Sequence, residues 1–249
     1  MLKNEREQEI LNILRSTGYA TVRTLSEQLY TSESSIRRAL ASLEVKGAAR
    51  RSYGGVELLE NHTNVISFGV RSHQNVAAKQ AIARKAAPLV SDGSIVFLDG
   101  SSTAFYLAAE LMRKSALTVV TNNTEILNLL SQTKFTVYCS GGRLSDANRM
   151  CLVGPDAQKT FTGIFAQYAF FSSKALSADG IITDCTREEV FVREAMLQNA
   201  EKRVFLCDSE KYDIHSGYRQ CSLSDIDILV SEGSHGERFQ SRFPNLTVL

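Results

Sequence analysis

The chain has 249 residues, of which 43% are hydrophobic and 22% charged. These values are typical of a folded protein of one or two domains, and they exclude a disordered chain, a collagen-like fibre and a small disulfide-stapled domain. No apolar run approaches the roughly 18 residues that a membrane helix needs, and the acidic opening residues lack the apolar stretch of a signal peptide. We therefore expect a cytoplasmic protein with no membrane partner, whose five widely spaced cysteines are reduced thiols.

Charge is divided unevenly along the chain. Residues 1–56 hold nine Lys or Arg and six acids, whereas the remainder holds 19 basic and 21 acidic residues. Five of the nine basic residues fall within 37–51. This asymmetry favours an N-terminal segment that meets a polyanion.

Three short helical patterns come first. Their apolar residues recur at helical spacing: Ile10, Ile13 and Leu14, then Val22, Leu25 and Leu29, then Ile36, Leu40 and Leu43. We expect Thr21 to cap the second helix, and we expect Ser32 to open the third and Gly47 to end it. Because only Tyr30-Thr31 separates the second pattern from the third, the pair predicts a helix-turn-helix.

The third helix and the segment after it carry the residue types that contact DNA. Serine is slim enough to let a helix enter the major groove, and arginine forks onto guanine edges or phosphate. Ala49–Leu58 then predicts two strands around a Gly54-Gly55 turn, a basic wing. The predicted DNA-binding residues are Ser32, Ser34, Ser35, Arg37, Arg38, Arg50, Arg51 and Tyr53. The alternative is that Arg37 and Arg38 form only a solvated helix face and that Tyr53 only packs in the wing.

This region resembles the DeoR family of bacterial transcription regulators. The family has a Thr-Ile-Arg-Arg-Asp-Leu recognition helix and an Arg-x-x-Gly-Gly wing. Here the corresponding segments are Ser35-Ile36-Arg37-Arg38-Ala39-Leu40 and Arg51-Ser52-Tyr53-Gly54-Gly55. Ser35 keeps the hydroxyl of the usual threonine. Ala39 removes a carboxylate that could orient a neighbouring arginine, which bears on the details of DNA contact and on the operator that is read.

The rest of the chain alternates strands and helices. The predicted strands are rich in Val, Ile, Phe and Leu: Ser94–Leu98, Leu117–Val120, Phe135–Cys139, Tyr168–Ser172, Arg203–Cys207 and Asp227–Val230. The predicted helices are Ala77–Leu89, Thr103–Arg113, Thr124–Ser131 and Arg187–Glu201. Such alternation predicts an α/β domain with a mostly parallel sheet. We place the winged helix-turn-helix at 1–58, a linker at 59–76 and the α/β domain at 77–249.

Small and polar residues follow several of these strands. Ligands of parallel sheets bind at the carboxyl ends of the strands, where glycines, hydroxyls and helix N-termini make a cradle for phosphate. The predicted effector-binding residues are Asp99, Gly100, Ser101, Ser102, Thr103, Thr121, Asn122, Gly141, Gly142, Arg143, Lys174 and Lys211. Each turn alone is also compatible with an ordinary helix cap or tight turn, and Lys174 with a plain surface lysine.

Other chemistries have weak signals. The sequence has neither a Walker lysine motif nor a G-x-G-x-x-G, which disfavours a nucleotide site. The four histidines, at 62, 73, 215 and 235, have no metal-ligand spacing. We therefore expect no cofactor and no metal.

The strand-end turns also resemble the DeoR family, whose larger domain senses sugar phosphates and is similar to the ribose-5-phosphate isomerase fold. The matching segments are Asp99–Thr103, Thr121-Asn122, Gly141-Gly142, Gly154, Glu188-Glu189 and Asp208-Ser209-Glu210-Lys211. Glu210 stands where the family has serine and adds a negative charge beside Lys211. The resemblance implies a regulator, by default a repressor, that binds duplex DNA as a homodimer or homotetramer under the control of a phosphorylated sugar.

An isomerase fused to a nucleic-acid module is the main alternative. Isomerisation needs a general acid and base, normally paired carboxylates. The loop where the isomerases carry clustered acids reads Phe170–Leu176 here, with no carboxylate before Asp179. We therefore predict binding without turnover. A third reading is a protein-interaction winged helix joined to an inactive enzyme domain.

Overall fold

The computed structural model describes residues 3–17, 19–45, 48–52, 55–58, 66 and 68–249. The chain divides into two compact units, an N-terminal unit of residues 1–66 and a C-terminal unit of residues 67–249. No helix in these described ranges combines the length and the apolar character needed to span a bilayer.

The N-terminal unit is a winged helix-turn-helix, as predicted. Its elements are α1 Lys3–Thr17, β1 Tyr19–Thr21, α2 Val22–Gln28, α3 Glu33–Val45, β2 Ala49–Ser52 and β3 Gly55–Leu58. The apolar stripes of the three helices meet in one core that includes Ile10, Leu14, Leu25, Ile36 and Leu43. The hydroxyl of Thr21 accepts a hydrogen bond from the Thr24 amide at 3.0 Å, which confirms the predicted cap of α2.

The wing has one strand more than the sequence pattern indicates. The sheet order is β1-β3-β2, so the three-residue β1 pairs with β3. Ser52 pairs with Gly55, which therefore belongs to β3 and not to a Gly54-Gly55 turn. Gly54 lies outside the described residues, as does Gly47, the predicted end of α3.

The C-terminal unit is built on one large sheet. Its elements are α4 Phe68–Arg71, α5 Val76–Ala86, β4 Ile95–Leu98, α6 Ser102–Leu111, β5 Thr118–Thr121, α7 Thr124–Leu130, β6 Thr136–Cys139, β7 Arg143–Leu144, β8 Leu152–Val153, α8 Pro155–Thr162, β9 Ala166–Phe171, β10 Ala175–Leu176, β11 Ile181–Asp184, α9 Arg187–Gln198, β12 Ala200–Leu206, β13 Tyr218–Ser222, β14 Ile228–Val230 and β15 Thr247–Val248. Short 3-10 helices occupy Ala87–Leu89, Ser209–Lys211, Leu223–Asp225 and Ser234–Phe239.

Seven parallel strands form this sheet in the order β15-β14-β12-β9-β4-β5-β6. All six predicted strands lie in it, which confirms the predicted fold class. Two apolar layers cover its faces, one from α5, α6 and α7 and the other from α8 and α9. After β4, the strands β5 and β6 extend the sheet on one side. The chain then returns to the other side of β4, where β9, β12, β14 and β15 extend the sheet in the opposite direction. The strand order therefore reverses between β4 and β9, and ligands of open α/β sheets bind at such a switch point.

Several short elements were not predicted. A small antiparallel sheet joins β10, β11 and β13, and β7 pairs with β8. The strands β7, β8 and β10 have only two residues each, which is too little alternation to be recognised in a sequence. The missed helix α8 opens with Pro155 directly after Gly154, which is the familiar signature of a helix start.

Part of the predicted linker, 59–76, is packed structure. Residues 59–65 and 67 lie outside the described residues, but α4 forms one helical turn at Phe68–Arg71. The Phe68 side chain is buried and meets the Phe105 ring edge-on at 5.9 Å. The burial of one aromatic ring therefore attaches this segment to the C-terminal unit.

Candidate functional site

Hydroxyls cluster at the N-terminus of α3. The Ser32 Oγ lies 3.0 Å from the Oγ atoms of both Ser34 and Ser35, and it accepts a hydrogen bond from the Ser35 amide at 3.4 Å. The Arg38 Nη2 donates to the Ser35 Oγ at 3.3 Å. A helix N-terminus carries a partial positive charge and unpaired amides. Three serines and one arginine at such a terminus suit contact with a DNA phosphate or a base edge.

Arg37 projects from the same exposed surface. Its Nη2 lies 2.9 Å from the Glu33 Oε2, one helical turn earlier. Both side chains stay about half exposed or more, so this pair is open to competition from a nucleic acid. Arg50 and Arg51 lie on β2 of the wing, while Tyr53 is outside the described residues.

Ala39 does not lie on this surface. It is 2% exposed and belongs to the core of the N-terminal unit. Alanine at this position therefore packs against the core, and the effect of the missing carboxylate on a neighbouring arginine stays a prediction.

In the C-terminal unit, Asp99 follows β4 and is fully buried. Its Oδ1 accepts a hydrogen bond from the Ser101 amide at 3.1 Å, and its Oδ2 accepts one from the Ser172 amide at 3.3 Å. The Arg193 Nε lies 3.0 Å from the same Oδ2. Asp99 therefore joins the turns after β4 and β9 to α9.

Arg193 is shared by three acids. Besides Asp99, its Nη2 lies 2.7 Å from the Asp184 Oδ2 and 3.4 Å from the Glu189 Oε2. Burial raises the pKa of both Asp99 and Glu189, and the guanidinium of Arg193 is the largest opposing influence on each. The cation thus offsets the cost of burying these carboxylates beneath the switch point.

Gly100 accommodates a protein side chain. A Cβ on Gly100 would lie 2.1 Å from the Cys151 Sγ, and this thiol donates to the Gly100 carbonyl at 3.3 Å. We predicted that the glycine lets a ligand approach, whereas in the structure it makes room for Cys151.

Replacement of Gly100 with alanine should lower the free energy of unfolding by about 1–3 kcal/mol, because the methyl group overlaps the Cys151 sulfur. When Cys151 is already alanine, the sulfur is absent, and the change Gly100→Ala should cost much less stability than it does in the wild type. This cost is the difference between the Gly100→Ala/Cys151→Ala double variant and Cys151→Ala alone. Urea unfolding of the four proteins measures both effects. If Gly100→Ala lowers the free energy of unfolding equally with and without the Cys151 sulfur, overlap with that sulfur does not explain the need for glycine at position 100.

The Gly141-Gly142 turn is also filled by the protein. The Gly141 amide donates to the Thr160 Oγ1 of α8 at 3.3 Å. Gly142 has a φ of 104°, and a Cβ there would lie 2.4 Å from the Val153 carbonyl oxygen. Arg143 pairs with Glu188 at 2.6 Å and with Asp146 at 3.3 Å. The turn therefore holds α8 and β8 in place, and Arg143 links it to the first turn of α9.

The turn after β5 is covered in a similar way. Asn122 exchanges hydrogen bonds with Leu152. Its side-chain nitrogen donates to the Leu152 carbonyl at 3.0 Å, and its backbone carbonyl accepts from the Leu152 amide at 2.8 Å. The Thr121 hydroxyl accepts from the Asn123 amide at 3.1 Å. These contacts are structural, although the Asn122 Oδ1 is buried without a hydrogen-bond partner among the described residues.

The N-terminus of α6 keeps unsatisfied hydrogen-bonding capacity. Ser101 caps the helix, since its hydroxyl accepts from the Ala104 amide at 3.0 Å. The Thr103 Oγ1 is buried and has no hydrogen-bond partner within the described part of the chain. Ser102 lies between them and is also buried. This terminus borders the reversal of strand order, where a ligand is expected.

Lys211 reaches the other side of the switch point. Its Nζ donates to the Ser172 Oγ at 2.5 Å and lies 3.3 Å from the Asp208 Oδ2. Burial tends to raise the pKa of Asp208, but the cations Lys211 and Lys79 outweigh it and hold that pKa below its ordinary value. Lys174 is exposed beyond the end of β9. Of the predicted effector residues, the structure thus groups Ser101–Thr103 and Lys211 around the turns after β4 and β9.

Three important residues were not among the predicted ones. Ser172 binds the Lys211 ammonium, Arg193 holds the buried acids, and Lys79 donates to the carbonyls of Arg71 and Gln74. Ser172 stands at a strand end, which is a usable sequence signal. Arg193 and Lys79 lie inside amphipathic helices, where a cation is normally solvated.

Comparison with known proteins identifies both units. Residues 6–62 match the DeoR-like helix-turn-helix domain, and residues 74–233 match the DeoR C terminal sensor domain. The HTH-type transcriptional regulator YgbI of Escherichia coli is 31% identical over 233 residues, covering 93% of this chain and 91% of the relative. GolR of Listeria innocua is 30% identical over 244 residues, covering 98% and 96%.

Similarity to solved structures is more distant. Ribose 5-phosphate isomerase A of Methanocaldococcus jannaschii aligns with a TM-score of 0.40 and 17% identity, covering 54% of this chain and 53% of the isomerase. The two domain matches together span most of the sequence and carry the assignment. This protein belongs to the DeoR family of transcription regulators.

Proposed function

We propose that this protein represses a carbohydrate-metabolism operon and that a phosphorylated sugar controls its affinity for operator DNA. Relatives with named targets support the carbohydrate link. An L-fucose operon activator of Haemophilus influenzae is 30% identical over 240 residues, and a lactose phosphotransferase system repressor of Staphylococcus aureus is 28% identical over 247 residues. Repression is the default because DNA binding alone can block transcription; an activator would use the same two sites.

The DNA-binding surface in this proposal is the N-terminal half of α3 with β2 of the wing. Ser32, Ser34 and Ser35 contact the backbone or base edges, and Arg37 and Arg38 supply guanidinium forks. Arg50, Arg51 and Tyr53 contact the flanking backbone from the wing. A homodimer or homotetramer presents two recognition helices to two half-sites, so the assembly sets the affinity.

The phosphate-binding position in this proposal is the N-terminus of α6. The observation that carries it is the buried Thr103 hydroxyl, which has no hydrogen-bond partner among the described residues. A phosphate there would accept from this hydroxyl, from Ser102 and from the first amides of the helix. Lys211, across the switch point, would supply the positive charge.

The same geometry supports binding without turnover. An isomerase needs a carboxylate that is available to take a proton from the substrate. The three acids beneath the switch point, Asp99, Asp184 and Glu189, all contact the one guanidinium of Arg193. Each of these carboxylates is buried and already paired with that cation, so none of the three is positioned to take a proton from a substrate. We propose that the protein is not an enzyme.

A thermal-shift panel tests the effector. We expect at least one of ribose 5-phosphate, glucose 6-phosphate, fructose 6-phosphate and glycerol 3-phosphate to stabilise the protein, and its unphosphorylated counterpart to have no effect. A ligand at about 100 times its dissociation constant adds about 2.7 kcal/mol, which shifts the melting temperature by several degrees.

The variant Lys211→Ala should lose this stabilisation and keep its affinity for DNA. Lys202→Ala is the matched control, because Lys202 is half exposed and pairs with Asp227 near the amino ends of the strands, away from their carboxyl ends. If the unphosphorylated compound stabilises the protein as strongly as its phosphate, the proposal of a phosphate site is wrong. If Lys211→Ala is stabilised as strongly as the wild type, the phosphate is not bound at Lys211.

A further inference from the structure

An acidic side chain lies on the surface that we propose for DNA binding. Glu33 is the first residue of α3, and its side chain is 48% exposed. Its neighbours in the sequence are Ser32 and Ser34, whose hydroxyl oxygens lie 3.0 Å apart in the cluster described above. In helix-turn-helix proteins, the N-terminal residues of the recognition helix are the ones that contact base edges. A carboxylate is therefore present among the groups that would meet the bases.

Glu33 opposes the general attraction of this surface to DNA. Affinity for any duplex comes mainly from lysines and arginines that neutralise phosphates, and a carboxylate weakens it. Glu33 also binds one of these cations, because its Oε2 accepts a hydrogen bond from the Arg37 Nη2 at 2.9 Å. An exposed ion pair one helical turn apart adds little to stability. A contact in which the DNA supplies a hydrogen-bond donor gives this acid a function.

The major groove offers two kinds of base donor to a carboxylate. These are the N4 amino group of cytosine and the N6 amino group of adenine. Adenine carries the N7 acceptor beside its N6 group, and that acceptor repels a second acceptor, whereas the cytosine edge presents only a donor. A side chain that can only accept hydrogen bonds therefore selects cytosine. The guanine paired with this cytosine presents the acceptors O6 and N7, which suit an arginine.

Glu33 and Arg37 together carry the groups that match both bases of one C·G pair. The Arg37 side chain is 65% exposed, and its bond to Glu33 uses one nitrogen of a guanidinium that has five N–H donors. The other donors can bind guanine. Within the described part of the chain, the Glu33 side chain makes this one hydrogen bond, through Oε2. Its Oε1 can therefore accept from the cytosine amino group while Oε2 holds the guanidinium.

We infer that Glu33 is a specificity-determining residue, which accepts a hydrogen bond from cytosine N4 while Arg37 donates to the guanine of the same base pair. This inference rests on the proposed DNA-binding surface and adds to it the base pair that the first turn of α3 reads. Glu33 lowers the affinity for all DNA and lowers it most where no cytosine donor is present. Specificity is such a difference of affinities, and it often uses a repulsive element.

Selection of duplexes from a random-sequence pool by the full-length protein tests the inference. The wild type should enrich a motif with a C·G pair in each half-site. Glu33→Ala should enrich a motif that has lost the preference at this one position and keeps the others. Glu33→Gln should prefer A·T there, because a glutamine amide matches the N6 and N7 groups of adenine.

Glu27→Gln is the matched control. Glu27 lies on α2 and forms an exposed ion pair with Arg23, also with a distance of 2.9 Å and a spacing of four residues. Glu27→Gln and Glu33→Gln each remove one negative charge and one such pair, so both should bind a non-specific duplex more tightly than the wild type does. Only the Glu33 variant should select a different motif.

Direct titrations measure the size of the effect. The two probes are the selected duplex and a copy in which the C·G pair is replaced by T·A, which presents the O4 acceptor of thymine to the carboxylate. The wild type should bind the first probe about tenfold to a hundredfold more tightly than the second. Glu33→Ala should lose most of this ratio.

Three outcomes would contradict the inference. The same motif in the wild type and both Glu33 variants overturns it and leaves the proposed function intact, as does a lost preference at an A·T pair. A lower melting temperature of the Glu33 variants with an unchanged motif assigns Glu33 to helix stabilisation alone. A wild type that enriches no motif removes the proposed function together with the inference.

Discussion

An Arg193→Met variant should lose about 3–5 kcal/mol of its free energy of unfolding at pH 8. Methionine fills much of the volume but leaves Asp99, Asp184 and Glu189 buried without their shared cation. Urea unfolding measures the loss. Arg149→Met is the matched control, since Arg149 is 64% exposed and its partner Asp146 is 84% exposed, so this pair lies at the surface. We expect that control to change stability by well under 1 kcal/mol.

The deficit of Arg193→Met should become smaller as the pH falls. Burial already raises the pKa values of Asp99 and Glu189, and loss of the opposing cation raises them further, so the folded variant binds protons that the unfolded chain does not. Acidification from pH 8 toward about pH 5 therefore stabilises the variant relative to the wild type. A loss that is constant across this range would indicate that packing, and not charge, accounts for the effect.

Replacement of Arg37 or Arg38 with alanine should weaken operator binding by about tenfold to a hundredfold. Each guanidinium extends from the exposed face of α3, and a bidentate contact to a base or a charge-assisted contact to phosphate has that magnitude. Titrations at several salt concentrations separate the two kinds of contact. Loss of a phosphate contact lowers the slope of log affinity against log salt by about 1, whereas loss of a base contact relaxes sequence preference.

Arg113→Ala controls for the change in net charge, because it removes one exposed arginine from the C-terminal unit. Folding of each variant is checked by its melting temperature. Wild-type affinity in both the Arg37 and Arg38 variants at moderate salt would contradict the assignment of α3 as the recognition helix.

Part of this molecule could be predicted from local patterns. The helical spacing of Ile36, Leu40 and Leu43 and the hydroxyl of Thr21 define helices by contacts within a few residues. The apolar strands and the polar turns after them likewise identify a parallel sheet and the edge of such a sheet at which ligands generally bind. Such features depend on neighbours in the sequence, and so the family could be recognised from them.

The roles of the turn residues required the tertiary structure. Gly100 accommodates the sulfur of a residue 51 positions away, and Asp99 pairs with a guanidinium 94 positions away. A glycine that admits a ligand and one that admits a buried thiol look the same in a sequence. Residue type and spacing determined that this protein has a helix-turn-helix part and an α/β part, and the motifs among them carried the resemblance to the DeoR family that identified a regulator. Which groups at the strand ends remain available for a ligand was decided only when distant segments packed against them, because burial and charge pairing depend on contacts that local sequence does not encode.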